Sequence, residues 1–527
     1  MTEVLPQNVS RMIGKDAQRN NILAARVIAD IVKTTLGPKG MDKMLVDASG
    51  NVIVTNDGVT ILQEMEIDHP AAKMMVEIAK TQEAEVGDGT TTVALLAGKL
   101  LEHAEKLLDR KIHPTVIVRG YRKASEKSLE ILNEVALPVS SKEVLKQIAM
   151  TAMTGKGAES HKELLAGMIV TAVDQIAQGK NVSLQDIKLQ KVKGESINES
   201  ELVQGIVLDK ERANAQMPAS VADAKILLTE FSLEIKNLEA EANISINSPE
   251  QLQGFIASEE RYLKSLTETI VASGANVVFC QKGIDDVVQY YLAKAGILAC
   301  RRIPKSDIEK IARATSAKTV ATLQDVLPHN LGKAALVEEV RMQDESLIYI
   351  RGCSNPRAVT LVLRGSTSHV LDEIERAVKD GLGDVVASVK SGKIVAGGGA
   401  IEIELAKRLR IYAKTLGGRE QLAIDAFADA LESIPEALAE NAGLDPIEVL
   451  TELKKRHESH LITHGLNLFN DRIEDTLAAG IIEPLKVKTQ AISSATEVAT
   501  MILRIDDVLI SKSTLQPTNQ NPYGDMD

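Results

Sequence analysis

The stretch that most constrains this chain is Val86-Gly87-Asp88-Gly89-Thr90-Thr91-Thr92, running directly into Val93-Ala94-Leu95-Leu96-Ala97-Gly98-Lys99-Leu100-Leu101. Two glycines frame a carboxylate, three hydroxyls follow, and apolar residues then recur at 93, 96, 97, 100, 101, 104, 107 and 108, the spacing of one helical face. An acid and a run of hydroxyls are thereby delivered to a helix N-terminus. First-turn amides lack helical partners and the helix dipole favours an anion, so the arrangement suits phosphate, with Asp88 able to bring a divalent cation. The same residues also read as a capped helix after a glycine turn, because Asp and Thr are ordinary cap residues.

Upstream, the spacing predicts a helix over 17–35 with Ile22, Ala25, Ile28, Ala29 and Val32 on one face, stopped by Leu36-Gly37-Pro38-Lys39-Gly40. Those glycines suit close approach to a ligand and a plain C-terminal turn equally well. Short strands at 44–46 and 52–54 enclose Asp47-Ala48-Ser49-Gly50-Asn51 as a hairpin. Thr55-Asn56-Asp57-Gly58-Val59-Thr60 then sets a second carboxylate on a bend, with a helix at 70–84 between it and Asp88. Taken alone this is common turn chemistry. Residues 93–134 read as helix broken at His113-Pro114, and helices at 142–153 and 160–177 flank Thr154-Gly155-Lys156-Gly157. The Lys156 ammonium is either an ordinary exposed charge or a contact for a terminal phosphate.

From about residue 186 short strand patterns take over, at Leu189 and Val192, at 206–208 and at 226–231, marking a boundary near 210–220. Residues 235–249 are polar and acidic, and Leu252, Phe255, Ile256, Leu263, Leu266 and Ile270 follow at helical spacing. Together they read as an exposed extension whose apolar stripe touches a partner or docks on its own domain. Strand and helix alternate at 277–279, 285–294, 297–300, 306–316 and 319–320, the pattern of an α/β layer with parallel neighbours ending near 355–360. No Gly-x-Gly-x-x-Gly opens that unit and no Walker lysine follows its strands.

A strand at 359–365 and a helix at 368–390 lead out again, and Asp380 lies on that helix four residues from both Arg376 and Asp384. A solvated charged face is one reading of it. Gly397-Gly398-Gly399 precedes a helix at 400–416, and three consecutive glycines imply a backbone that passes against a ligand or another segment. Helices at 420–432 and 446–459, a strand at 485–487, a helix carrying Ile492, Ala495, Val498, Ala499 and Ile502, and a strand at 507–510 complete the chain. Helix-rich ends around a strand-rich middle imply a discontinuous helical domain made from both termini. His457, His460 and His464 share a face, but no cysteine or carboxylate pattern beside them supports zinc.

At 527 residues the chain is too long for one core. Aromatics are scarce, with Phe 5, Tyr 7 and Trp 0, so Ala, Val, Ile and Leu must fill it. The net charge of -12 argues against a general nucleic-acid binder. Cys280, Cys300 and Cys353 are far apart and odd in number, which points to buried thiols in a reducing compartment. Without a charged-then-apolar leader or a run of 18 apolar residues, a cytoplasmic location without stable membrane insertion is expected.

Taken in order, Thr34-Thr35-Leu36-Gly37-Pro38-Lys39-Gly40-Met41-Asp42-Lys43, Thr55-Asn56-Asp57-Gly58, Gly87-Asp88-Gly89-Thr90-Thr91, Ala396-Gly397-Gly398-Gly399 with Glu402, and Glu440-Asn441-Ala442-Gly443-Leu444-Asp445 resemble the group II chaperonins of the archaeal thermosome type. Ile482-Glu483-Pro484 and Ile505-Asp506-Asp507 extend the likeness nearly end to end. The resemblance implies a multidomain α+β and α/β chaperonin fold. A discontinuous helical equatorial ATPase domain would occupy 1–140 and 401–527, a small intermediate domain 141–210 and 361–400, and an α/β apical domain 211–360 with a helical protrusion at about 238–270. It implies ATP and Mg2+ as cofactors and non-native proteins as partners. The subunits, identical or paralogous, would form two stacked eight-membered rings whose built-in lid closes in response to ATP.

Carried over by position, the resemblance puts Asp88 on the metal, and Gly37, Pro38, Gly89, Thr90, Thr91 and Thr92 along the phosphates. Gly398, Gly399 and Glu483 would lie about the base and ribose, Asp57 and Asp380 would polarise the attacking water, and Lys156 would sense the terminal phosphate. Two positions depart from the family: Gly381 replaces the usual alanine after Asp380, at a helix cost of about 1 kcal/mol, and Ser391-Gly392 replaces Asp-Gly. The expected function is ATP-driven folding of enclosed polypeptides. The alternatives are a non-folding protective ring or filament with incidental ATPase activity and, ranked last, a small-molecule kinase. The terminal Tyr523-Gly524-Asp525-Met526-Asp527 has no Gly/Met run, so no C-terminal tether for substrate is expected.

Overall fold

The computed structural model describes residues 9–46, 49–179, 181–194, 196–235, 248–342, 345–354 and 356–511. The expected hairpin tip at Asp47-Ala48, the protrusion's residues 238–247 and the tail from 512 lie outside the described residues. The chain divides into two compact units, one of residues 1–138 with 393–527 and the other of 139–392.

In the first unit the helix Thr90–Asp109 packs against Lys15–Lys33, Pro70–Val86, Glu420–Asn441 and Leu485–Leu503. Beyond its threonine first turn it is apolar all round from Val93 to Gly98, and Val93 to Gly98, Leu100 and Leu101 are buried. Small residues let the helices approach: a Cβ on Gly98 would collide with the Ala29 methyl, and one on Gly120 with that of Ala423. Tyr121 and Phe427 meet edge to face at 5.7 Å, and the Tyr121 hydroxyl donates to the Leu100 carbonyl at 2.7 Å.

The two ends of the chain are joined by antiparallel pairing of Val9–Ile13 with Asp507–Ser511, where Arg11 Nε donates to Asp507 Oδ2 at 2.9 Å. The first of these strands was not anticipated, because its apolar residues are legible as a strand only beside their partner. Two further differences share a tertiary cause. The helix expected to stop at 432 runs from Glu420 to Asn441 through Pro435, and burial of Ile434, Ala437, Leu438 and Ala439 offsets the roughly 3 kcal/mol that an interior proline costs. Residues expected as a strand at 485–487 open the helix Leu485–Leu503, and the strand is instead Ile482–Pro484, paired with Lys393–Ala396. Pro484 supplies the extended backbone from which that helix starts.

The histidine cluster is structural. His457 is fully buried, its ring nitrogens 3.0 Å from Glu404 Oε2 and 2.9 Å from the His464 carbonyl. Burial alone would raise Glu404, but hydrogen bonds from His457 and Arg408 outweigh it and bring the carboxyl down to about 2. A folded-state value below the unfolded 4.5 means that this stabilisation is complete above pH 4.5 and is lost as pH falls towards about 2. The stability difference between wild type and Glu404→Gln, up to about 3 kcal/mol, is therefore expected to shrink across that window. Thermal unfolding midpoints from pH 6 downward measure it, and a difference independent of pH would contradict the assignment.

The second unit holds two sheets. In the larger, Leu298–Cys300, Val277–Cys280, Ser220–Thr229 and Thr319–Val320 are parallel neighbours, as the alternation implied. Antiparallel strands Gly332–Met342, Glu345–Arg351 and Ile206–Leu208 extend this sheet, and the first two were not anticipated. Their charged residues, such as Glu338 and Arg351, pair across strands and mask the apolar pattern. Ile206–Leu208, just ahead of the expected boundary near 210–220, belongs to this sheet as well.

The helix Pro249–Ala272 divides its apolar stripe. Leu263, Leu266 and Ile270 are buried with Val288 and Leu292, whereas Phe255 and Ile256 are exposed. In the smaller sheet Val359–Gly365 lies between Ile187–Lys193 and Glu201–Val203, and helices Lys142–Met153, Lys162–Ile176 and Ser368–Ser391 form its core. All three cysteines are buried free thiols, and burial pushes Cys353 up to about 11. Among the described residues no helix is long and apolar enough to cross a membrane.

Candidate nucleotide site

Asp57 connects two glycine turns. It caps the helix Gly58–Glu64, its Oδ2 accepting from the Thr60 amide at 3.0 Å and the Thr60 hydroxyl at 2.6 Å. Its other oxygen, Oδ1, accepts from the Thr90 hydroxyl at 3.2 Å. Gly58 makes this junction possible, since a Cβ there would lie 2.6 Å from Thr91 Oγ1 and 3.1 Å from Thr91 Cα. The turn chemistry that was locally ambiguous is thus fastened to the first turn of the Thr90–Asp109 helix, on which Thr91 and Thr92 follow.

The Asp88 turn is held from behind. Gly87 and Gly89 are left-handed, with φ of 93° and 82°, closing one helix and opening the next. Gln82, fully buried, donates from Nε2 to the Asp88 carbonyl at 2.9 Å and to the Val487 carbonyl at 3.3 Å. A Cβ on Gly89 would stand 3.0 Å from both Gln82 Nε2 and Val487 Cγ1, so the loop lies close against its support. Asp88 and the threonine hydroxyls are hard oxygen donors at a helix N-terminus, a set that fits Mg2+ shared with phosphate oxygens. Among the described residues no three His, Cys, Asp or Glu side chains are grouped to hold a metal by themselves.

Gly397-Gly398-Gly399 threads between other segments. The Gly397 amide donates to the Ile481 carbonyl at 3.0 Å, and the Gly398 carbonyl accepts from the Leu466 amide at 2.8 Å. A Cβ on Gly397 would lie 2.9 Å from Glu483 Oε1, and one on Gly399 2.6 Å from Pro435 Cβ. Glu483 Oε2 pairs with Lys488 Nζ at 2.6 Å, and the same ammonium reaches Glu402 Oε1 at 2.8 Å. Burial raises the Glu483 carboxyl; Lys488 opposes that effect, while Glu402 and Asp88 add to it. Burial by itself would lower Lys488, but the two carboxylates hold its ammonium above the ordinary lysine value. At the Leu36–Gly40 turn, left-handed Gly37 packs on Leu438, and Asn441 Nδ2 donates to the Lys33 and Leu36 carbonyls, each at 2.9 Å.

Asp380 and Lys156 belong to the second unit, where they form an ion pair with each side chain 18% exposed. The solvated-face reading of Asp380 and the exposed-lysine reading of Lys156 both fail on that contact. Gly381, the departure from the family pattern, is buried with its missing Cβ 3.0 Å from Ile169 Cδ1. Glycine here permits close helix packing rather than loosening the helix.

Thr60, Gln82, Glu402, Lys488 and Asn441 were not singled out for the site by sequence reasoning. A signal existed for three of them: Gln82, Glu402 and Lys488 are polar residues on faces that helical spacing assigns to the core.

The family model describing the TCP-1/cpn60 chaperonin family matches residues 28–513. The chain is 56% identical over 515 residues to thermosome subunit beta of Archaeoglobus fulgidus, covering 97% of this chain and 94% of that one. It is 54% identical over 511 residues to thermosome subunit beta of Methanothermobacter thermautotrophicus, covering 97% and 95%. With the thermosome subunit of Pyrococcus horikoshii the identity is 53% over 527 residues, covering 99% and 96%. The chain belongs to the TCP-1/cpn60 chaperonin family, as a group II, thermosome-type subunit and an ATPase that drives protein folding.

Proposed function

We propose that the first unit binds ATP with Mg2+ at the Asp88 turn and that hydrolysis there drives enclosure of a non-native protein. The observation that carries this reading is the 3.2 Å hydrogen bond from Thr90 to Asp57, which fastens a second carboxylate to a glycine-flanked helix N-terminus. Asp88 would hold the metal, and Gly37, Pro38, Gly89, Thr90, Thr91 and Thr92 would line the phosphate path. Gly398, Gly399 and Glu483 would border the base and ribose. The chemistry a bound Mg2+ supplies is neutralisation of charge on the phosphoryl oxygens.

Asp57 would orient the attacking water and accept its proton, with Asp380 as a second carboxylate for that step. Lys156 would sense the terminal phosphate. Its present pairing with Asp380 supports a linked role, because an ammonium drawn to phosphate would exchange that carboxylate for a phosphate oxygen. The proposed partition is an equatorial domain at 1–140 and 401–527, an intermediate domain at 141–210 and 361–400, and an apical domain at 211–360 with its protrusion. Assembly would be into two stacked eight-membered rings of identical or paralogous subunits.

Electron microscopy of the purified full chain with and without ATP and Mg2+ tests the reading. Double rings that close under hydrolysing conditions, together with recovery of a denatured client, are expected. Rings that stay open while ATP is consumed would overturn the coupling.

A further inference from the structure

The Asp57 carboxylate divides its oxygens between two tasks. Oδ2 accepts from the Thr60 amide at 3.0 Å and from the Thr60 hydroxyl at 2.6 Å, whereas Oδ1 accepts from the Thr90 hydroxyl alone among the described residues, at 3.2 Å. The 2.6 Å contact has the length of a hydroxyl donating to a charged oxygen, a bond roughly twice as strong as a neutral one. Oδ2 is therefore committed, and Oδ1 is the looser end.

The helix is capped without the Thr60 hydroxyl. Thr60 is the third residue of Gly58–Glu64, the position from which a side chain ordinarily reaches back to the amide of the capping residue. Here the Asp57 amide already donates to the Thr55 hydroxyl at 3.2 Å, and the Thr60 amide makes the capping bond itself. The Thr60 hydroxyl has Asp57 Oδ2 as its one acceptor among the described residues. What it adds is orientation. The terminal torsion of an aspartate is broad, so a carboxylate held by one amide can turn and exchange its oxygens, whereas two donors on one oxygen fix its plane.

The orientation so fixed faces the proposed chemistry. Oδ1 meets Thr90, which opens the helix Thr90–Asp109 and is proposed to line the phosphates. We propose that Thr60 is a positioning residue for ATP hydrolysis: by holding Asp57 Oδ2 it turns Oδ1 to the phosphate side and makes Oδ1 the oxygen that serves as base. In that step the water oxygen bonds the γ-phosphorus, the bond from phosphorus to the ADP oxygen breaks, and the water's proton passes to Oδ1. Thr60 acts through Asp57. The inference deepens the nucleotide reading of the site and rests on it.

Hydrolysis by the assembled full chain, with ADP and Mg2+ titrated calorimetrically beside it, tests the proposal. Thr60→Val keeps the shape and the capping amide but not the hydroxyl, and is expected to lower kcat about tenfold to a hundredfold. Its ADP affinity should stay within about threefold of wild type, because the interaction removed serves the reaction and not binding. Thr60→Ser restores the hydroxyl and is expected to recover most of kcat. In an Asp57→Asn background, with slow turnover followed on labelled ATP, Thr60→Val should cost nothing further, since the group it positions has already lost its basicity.

A merely structural threonine predicts otherwise: the loss would repeat undiminished in the Asp57→Asn background, or ADP affinity would fall along with kcat. Either result overturns the proposal, as does Thr60→Val with wild-type kcat or Thr60→Ser as slow as Thr60→Val. If Thr60→Val fails to assemble, Thr60→Ala, which also lacks the hydroxyl, decides by the same readings. Asp57→Asn with near-wild-type turnover would overturn the reading beneath the proposal. That result is distinct from a slow Asp57→Asn beside an unaffected Thr60→Val, which would overturn the role of Thr60 alone.

Discussion

Asp57→Asn is expected to lower ATP hydrolysis by about 10²- to 10⁴-fold while the ring still assembles and binds nucleotide. Asparagine is as good a helix cap as aspartate, so its oxygen keeps the contact with the Thr60 amide, while its Nδ2 faces Thr90 and donates to the hydroxyl oxygen where the carboxylate had accepted. What it lacks is the negative charge and basicity to orient a water and take its proton. Asp57→Ala removes the cap as well and is expected to cost about 1 kcal/mol of stability in addition. Steady-state hydrolysis, ADP affinity and the thermal midpoint, measured on both variants, separate chemistry from scaffolding. Recovery of a denatured client should fall with hydrolysis, whereas a passive protective ring would lose hydrolysis without losing protection. Asp57→Asn with near-wild-type turnover would remove Asp57 from the mechanism.

Gly398→Ala is expected to destabilise the first unit by about 2–4 kcal/mol and to impair nucleotide binding with it. The residue sits at φ 66°, where a side chain costs roughly 1–2 kcal/mol, and the new Cβ would lie 2.5 Å from the Leu466 carbonyl oxygen. That oxygen is backbone, held within the hairpin His464–Asn467 with Arg472–Asp475, so relief requires moving the hairpin or the glycine segment. Gly417→Ala is the matched control, since nothing stands within 4 Å of its would-be Cβ, and it should change stability by no more than about 0.5 kcal/mol. Thermal midpoints of the two variants, with and without ADP, decide the matter. Equal behaviour would mean that the hairpin yields freely and that the triglycine run is not demanded by packing.

Which features were legible beforehand follows from how local their causes are. The helix Thr90–Asp109 could be read because its period and its glycine N-terminus lie within a few turns of chain. The parallel strands around Val277–Cys280 were legible for a similar reason, since each is followed by a short helix that returns the chain alongside. The continuation of Glu420–Asn441 through Pro435 was not, because the residues that compensate for the proline are buried by other segments. Strand Gly332–Met342 was likewise hidden, because the charge of its Glu338 is met by Arg351 of the neighbouring strand.

By itself, then, the sequence determined where the backbone turns on glycine, which faces are apolar, and that Asp57, Asp88 and Asp380 are carboxylates at helix starts or within helices, because propensity, period and capping act over a few residues. Only the tertiary structure decided that Asp57 bonds Thr90, that Lys156 pairs with Asp380, and that Glu402 and Glu483 share Lys488. Ion pairs and hydrogen bonds act over a few ångströms between groups far apart in the chain, and no local pattern records which of many charged residues will be brought within that reach.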